Sequence, residues 1–297
     1  MILKEIVIQQ FISKLSVISP ALASKCVFRI RMKKKLNLKS PKTLNEKIMW
    51  LKLNTYKNNN LVTQCADKVK VREYVKNLGI ENILVPIYKV WENTNDIEWN
   101  TLPESFVMKC NHGWGYNIIC SNKNELDEKK VKAQLSYWLK TDFWKKMAEL
   151  NYRNIPRRIL CEKYLENHDG EAVVDYKVYC FNGLAKFILV CIGRHLGKPK
   201  YLFFDEKWEL ARINNDSIKE EKSFIMPKPN KFEKMMEYAN LLSKPFPFVR
   251  VDFYLVNNDI FFGEMTFTPS AGADSARLSE TDLIFGEMVD LNYNTEV

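Results

Sequence analysis

An α+β fold follows from the order of helical and strand patterns along the chain. The first 60 residues and the stretch 125–150 carry helical spacing, whereas the second half runs through a series of apolar strands. Two turn signatures, Asn182-Gly183 and Asn257-Asn258-Asp259, fold those strands back on themselves. Hairpins make neighbouring strands antiparallel, and separate blocks of helix and strand differ from the alternation that builds a parallel sheet.

The chain has 297 residues, enough for one large core or two to three packed subdomains. Its 46% hydrophobic and 27% charged content is ordinary for a globular protein. No segment approaches the ~18 uncharged apolar residues of a membrane-spanning helix. The opening, with Lys4, Glu5 and Lys14 and no small-residue cleavage site, does not read as a signal peptide.

Residues 1–60 form a basic, mostly helical segment. They hold 13 Lys/Arg against 2 Asp/Glu, while the remainder holds 32 against 34, so the net charge of +9 resides at this end. Arg29, Arg31, Lys33, Lys34 and Lys35 are its densest part. Ile6, Ile8, Phe11, Leu15, Val17 and Ile18 fit one helical stripe that stops before Pro20. A basic amphipathic start suits a peripheral membrane contact or an acidic polymer, and equally a solvated face on a packed helix. No recognised nucleic-acid module accompanies the charge, so nucleic acid is not expected as a partner.

Within this segment Leu44, Ile48 and Leu51 give the piece from Pro41 to Tyr56 a helical face. Residues 61–104 read as a small α/β lead-in: a helix with Val69, Val71, Tyr74, Val75 and Leu78, stopped by Gly79, then a strand from Ile83 to Val90. Residues 105–160 follow as strand 105–110, a glycine-bearing loop 111–117, a strand from Ile118 and a helix over 125–150. In the last part, 161–297, RILCEKYL and an Asp169-Gly170 turn lead to AVVDYKVYCF and LAKFILVCIG, paired across Asn182-Gly183. YLFFD, a helix around 231–243, a second hairpin and a Ser/Thr/Gly-containing tail complete it.

Seven cysteines without a C-x-x-C pair fit buried reduced thiols of a cytoplasmic protein. Three histidines leave little for zinc.

The second hairpin carries the clearest chemistry. Alternation puts Arg250, Asp252 and Tyr254 on one face of its first strand, and groups Phe262, Glu264 and Thr266 on its second. A three-residue loop, Asn257 to Asp259, pairs Val256 with Ile260, and counting back brings Asp252 opposite Glu264 and Arg250 opposite Thr266. Opposed carboxylates with Cβ atoms roughly 5 Å apart destabilise a sheet. Mg²⁺ between them would offset that cost, since it takes one or two carboxylates plus phosphate oxygens. Solvation, or pairing with Arg250, is the other reading of the same residues. Elsewhere, Lys109 leaves its strand just before Asn-His-Gly-Trp-Gly, where it and loop N–H groups suit an anion, though no phosphate fingerprint is present. Lys177 shares the alternation of Asp175 and Tyr179, and Arg194 ends the partner strand beside His195.

Taken together, KTLNEKIMWLK, ADKVKVREYV, LPESFVMKCNHGWGYNII, RRILCEKYLE, DYKVYCFNG, VRVDFY and FGEMTFTPSAG make the chain, from about Pro41 onward, resemble the ATP-grasp superfamily. In particular it resembles the teichuronopeptide-synthesis (TupA-like) family of bacterial surface-polysaccharide gene clusters. That resemblance implies an ATP-grasp fold, with two α+β subdomains clamping ATP between antiparallel sheets. It implies Lys109 as the phosphate lysine and the loop with His112, Gly113 and Gly115 as the flexible lid. Glu162, Lys163 and Leu165 match the adenine hinge, and Glu166 or Glu171 the ribose contact. Arg250 matches the arginine near the transferred phosphoryl group, joined by Lys177 and Arg194. Asp252 and Glu264 match the magnesium carboxylates; Thr266 stands where many members have asparagine, and is the candidate third ligand. Ser270, Gly272 and Arg277 in the tail are candidates for the acceptor.

The activity implied is ATP- and Mg-dependent ligation of a carboxylate to an amine through an acyl phosphate. The family context points to a uronic acid of a bacterial surface polysaccharide or its precursor, joined to an amino acid or small amine. Such an enzyme is expected in the cytoplasm, at the inner face of the cell membrane. A capsule glycosyltransferase, an ATP-grasp phosphotransferase and a non-enzymatic nucleotide-binding protein are the competing readings.

Overall fold

A computed structural model describes residues 2–170, 172–193 and 197–293. Two helices open the chain, α1 (Ile2–Ile18) and α2 (Pro20–Met32). Ser19 separates them: its Oγ accepts from the Leu22 N–H, and Pro20 supplies the fixed φ of a first helical residue. The expected single apolar stripe on α1 is not what forms. Ile12 is buried and Ile8 and Leu15 are half-buried, but Ile6, Phe11, Val17 and Ile18 are exposed, so α1 is apolar on opposite faces. α3 (Leu44–Leu53) starts with a capping box in which Thr43 and Glu46 satisfy each other's backbone N–H. Two one-to-two-turn helices follow, α4 (Asn60–Ala66) and α5 (Val71–Asn77).

A four-stranded antiparallel sheet comes next, from β1 (Ile87–Trp91), β2 (Phe106–Cys110), β3 (Asn117–Cys120) and β4 (Ile159–Lys163), in the order β1-β4-β2-β3. β1 precedes the 105–160 segment, and β4 straddles its end. Helix α6 (Glu128–Lys140) lays Val131 and Leu135 on it. The helical pattern extending to residue 150 resolves into α6 and two short 3-10 turns, 143–146 and 150–152.

The larger sheet has six strands: β5 (Val174–Phe181), β6 (Leu184–Ile192), β7 (Lys200–Asp205), β8 (Leu210–Ala211), β9 (Phe248–Val256) and β10 (Asp259–Thr266), in the order β10-β9-β5-β6-β7-β8. One face presents Val178, Cys180, Val251 and Phe253 to helix α7 (Phe232–Ser243), through Met235, Ala239 and Leu242. On the other, helix α8 (Ser279–Glu287), which formed where only a tail was expected, sets Phe285 against Tyr179, Phe181, Phe187 and Phe203. The rest of that face stays open. Leu84, just before β1, makes a single parallel bridge to Phe262 of β10.

Both turn signatures form hairpins, with left-handed pairs at Asn182-Gly183 (φ 48° and 76°) and Asn257-Asn258 (φ 50° and 66°). The second loop is therefore two residues, not three, and Val256 pairs with Asp259. Left alone, that register would offset Asp252 from Glu264. A bulge between Phe262 and Glu264 absorbs one residue, and Glu264 then faces Asp252 and Thr266 faces Arg250, as anticipated. One consequence differs: Phe262 pairs with Phe253 and joins the core instead of sharing a face with Glu264. Glycine fits the bulge closely: a Cβ on Gly263 would sit 3.0 Å from the Asp252 carbonyl oxygen and 3.3 Å from the Tyr254 ring, tighter than ordinary contact. Gly263→Ala is expected to cost about 1–3 kcal/mol, read as a lower urea midpoint at constant m-value; an unshifted midpoint would show that the bulge tolerates a side chain.

Candidate functional site

Cross-strand register assembles the open face of the large sheet. Lys177 lies opposite Asp252, Tyr179 opposite Arg250 and Asp175 opposite Tyr254, so β5 and β9 interleave acids and cations. Asp252 is buried, at 3% exposure, and its carboxylate accepts three hydrogen bonds. Arg250 donates from Nε (2.6 Å) and Nη2 (2.7 Å), and Lys177 donates from Nζ (2.7 Å). Lys177 also pairs with Asp175 at 2.7 Å. Glu264, on the adjacent strand, turns to Lys68 at 3.1 Å and accepts from the Thr266 hydroxyl at 3.2 Å. Arg250 reaches the same hydroxyl at 3.1 Å and lies 3.7 Å from Glu264. One guanidinium thus spans both acids, which is the pairing that the sequence left open beside the metal.

Burial pushes the Asp252 carboxyl up, and Arg250 and then Lys177 pull against it. Burial also opposes ionisation of Glu264, yet Lys68 and Arg250 hold its carboxyl down at about 2. Arg250 is driven higher than usual because Asp252 outweighs its burial, and Lys177 is raised in the same way. The acids and bases therefore stabilise one another's charges within a half-dry sheet face.

A cleft of about 230 Å³ opens over this face, bounded by Lys68, Lys109, Lys177, Asp252, Glu264, Gly115 and Asn117. Lys109 enters from β2, where its ammonium pairs with Glu162 of β4. Glu162 consequently turns to Lys109 in a small pocket beside this cleft, with Lys68, Arg72 and Phe262, and Lys163 is exposed. Leu165 and Glu166 line a second cleft, of about 660 Å³, walled also by Tyr164, Asn167, Val174 and Ile192. A third, of about 350 Å³, lies beyond Lys177 and is lined by Arg250, Tyr179, Tyr201, Ser270, Asp274 and Arg277 among others. Lys177 borders both the first and the third.

The glycine loop divides its residues between two tasks. Gly115 borders the cleft, whereas Gly113 is small because a Cβ there would lie 2.5 Å from the Phe143 ring; its carbonyl accepts from Lys68 at 2.6 Å. His112 turns inward, 2% exposed, with Nε2 donating to the Trp138 carbonyl at 3.1 Å, so its ring is a packing element and only its backbone stays with the loop. Trp114 donates to Glu149 at 3.3 Å, and the other oxygen of Glu149 accepts from Thr268 at 2.7 Å. That buried acid ties the loop to the turn beside the third cleft.

The turn itself is left-handed at Ser270, Ala271 and Gly272 (φ 52°, 55° and 77°), a conformation costing on the order of 1 kcal/mol per non-glycine residue. Arg31 holds the Ser270 carbonyl (3.1 Å) and the buried Lys52 holds that of Ala271 (3.3 Å). Gly272 packs on Ile48 and Met49 and does not line the cleft, unlike Ser270 and Arg277. Arg277 is anchored by Asp282 and Asp274, and its buried Nε–H has no hydrogen-bond partner among the described residues. Arg194 and Glu171 lie outside the described residues. Lys68 and Glu149 were missed in the sequence. Lys68 sat inside the quoted motif ADKVKVREYV, but its partner is 196 positions away; Glu149 offered no pattern at all.

Among the described residues no cluster of three His, Cys, Asp or Glu side chains is arranged to hold a metal on its own. All seven cysteines are free thiols.

A sequence model of the TupA-like ATP-grasp family matches residues 46–290. Solved structures with a similar outline include a D-alanine–D-alanine ligase from Bacillus anthracis in complex with ATP (14% identity, 77% of this chain and 63% of that one, TM-score 0.45). An N5-carboxyaminoimidazole synthetase from Staphylococcus aureus in complex with ADP also matches (16%, 74% and 50%, TM-score 0.42). So does the ATP-grasp ligase PsnB with its minimal precursor, Mg and ADP (10%, 75% and 57%, TM-score 0.37). The chain thus spans between half and two thirds of the length of these proteins. No curated protein matches it.

Burial lowers the His112 imidazole to about 4. The unfolded chain binds that proton below ~6.5 and the folded one does not, so stability contributed by His112 is present above that pH and is lost on acidification towards 4. The loss should reach about 3 kcal/mol. Urea melts of wild type and His112→Gln between those limits test this: the variant should show the shallower pH slope, and equal slopes would reject it.

Proposed function

The chain belongs to the TupA-like ATP-grasp family, and from that premise we propose that it is an ADP-forming carboxylate–amine ligase. ATP lies across two of the clefts, its base against the backbone near Leu165, its ribose near Glu166 and its phosphates among Lys68, Lys109 and Lys177. Lys109 exchanges Glu162 for a phosphate oxygen. The three ammonium groups, with the Arg250 guanidinium, neutralise charge that builds on the phosphates during transfer.

Asp252 and Glu264, with Thr266 beside them, are the residues that would hold Mg²⁺. Their donor set is oxygen only, as that ion prefers. A carboxylate offers about four lone-pair sites, of which Asp252 uses three and Glu264 two. When bound, the ion supplies further neutralisation of the triphosphate.

The acceptor occupies the third cleft, its carboxylate drawn by Arg250 and Lys177 and flanked by Ser270 and Arg277. A carboxylate oxygen attacks the γ-phosphorus, the bond to ADP breaks, and an acyl phosphate results. An amine then attacks the acyl carbon, loses a proton and displaces phosphate, leaving an amide. Holding both reactants in line supplies much of the acceleration. The observation that carries this reading is the junction at Lys177 and Arg250. One lysine borders both clefts, and the arginine that grips Asp252 also lines the acceptor cleft. Tyr179, Tyr201 and Phe203 on the acceptor wall suit a saccharide ring, in keeping with a uronic acid of a surface polysaccharide or its precursor. The work is done in the cytoplasm.

Glu264→Gln should lower the melting temperature, since Lys68 loses its acid, but the folded variant's ATP turnover with Mg²⁺ should fall by about 100-fold or more; wild-type turnover in the folded variant would dismiss the metal assignment. Lys109→Ala should weaken ATP binding about tenfold by calorimetry, and unchanged affinity would remove Lys109 from the site. Incubation with ATP, Mg²⁺, uronic acids and a pool of amines should yield an amide and ADP by mass analysis. Phosphorylated sugar without amide would favour phosphoryl transfer, and a glycoside formed only from a sugar nucleotide would favour a glycosyltransferase.

A further inference from the structure

The covered side of α1 is well accounted for. Gln9 and Ser16 donate to the carbonyls of Lys146 and Lys145, and Ile12 packs with Val27 and Phe28 of α2. The opposite side is not: Ile6, Val7, Phe11, Val17 and Ile18 are exposed, Ile18 at 81%. A contiguous row of exposed large apolar side chains marks a surface that meets protein or lipid. The uncovered side leads to the elbow between α1 and α2, where Leu22 is also exposed, at 51%. Next to the elbow runs a groove of about 480 Å³, walled by Ile18, Pro20, Leu38, Trp50 and Leu53 with Lys57 on its rim. Lys14 stands one turn before Ile18 and Lys25 one turn after Leu22, both in solvent.

We propose that this elbow docks the protein on a bilayer bearing anionic headgroups. Val17, Ile18 and Leu22 enter the boundary between headgroups and acyl chains, the groove receives chain ends, and Lys14, Lys25 and Lys57 meet the phosphates. Charge complementarity selects this occupant. A second copy seated on the same patch would bring identical lysines face to face. An acidic polymer would satisfy the cations and leave the apolar tip in water. Among the described residues no helix is long and apolar enough to cross a membrane, so the contact is interfacial. None of these residues belongs to the ATP or acceptor clefts, and the inference stands independently of the ligase reading.

Co-sedimentation of the full chain with phosphatidylcholine vesicles, with and without phosphatidylglycerol, tests it. Binding is expected only to the anionic vesicles and should fall as salt rises. Each of Lys14→Ala and Lys25→Ala should weaken it about fivefold, and the double variant Ile18→Ser, Leu22→Ser about tenfold or more. Because all four side chains are exposed, melting temperature and ATP turnover in solution should stay at wild-type values. No binding, equal binding to neutral vesicles, or variants that bind like wild type would overturn the proposal. So would a dimer, seen by light scattering, that Ile18→Ser dissolves, since the patch would then belong to a second copy.

Discussion

Two carboxylates on neighbouring strands, taken partly out of water, are the constraint around which the protein is organised. Asp252 and Glu264 repel, and each alone would resist ionisation in its place on the sheet. Every element near them contributes a compensating charge. β9 supplies Arg250, β5 supplies Lys177, and the turn after α4 supplies Lys68. The resulting lattice alternates in sign, so no charge is stranded, and its members lie at the mouths of two clefts. A cationic ledge that is already paid for by acids is well suited to receive a phosphate chain, because exchange of one anion for another needs little rearrangement.

The second organising link runs through Glu149. Among the described residues it has no charge partner within salt-bridge distance; instead it accepts from Trp114 of the glycine loop and from Thr268 of the left-handed turn. Burial raises this carboxyl, and Thr268 and Lys52 draw it back. A loop over the first cleft and a turn at the third therefore share one anchor. The turn is further held by Arg31 and Lys52, which belong to the N-terminal helices. Some of the basic residues at that end are structural ties, then, while others, such as Lys14 and Lys25, stand in solvent.

Residues with periodic neighbours were readable. The hairpin turns, the face shared by Arg250 and Asp252, and the pairing of Asp252 with Glu264 all came from alternation and turn chemistry. The last of these was right through two compensating differences: the turn is one residue shorter than expected, and the Gly263 bulge restores the lost residue. A bulge leaves little trace in the pattern of a single strand, because glycine interrupts alternation without saying which way it resumes. Phe262 was misplaced for that reason. The exposed side of α1 was misread because a run of apolar residues fits a stripe of one face as easily as two.

Local physics, then, determined the antiparallel strands, their turns and the facing acids, since strand periodicity and turn dihedrals act over a few residues. Tertiary structure alone decided that Lys68 meets Glu264, that Glu162 takes Lys109, and that His112 and Gly113 serve packing. Those outcomes depend on which distant surfaces touch, and desolvation and charge settle them only after the two sheets have closed on each other.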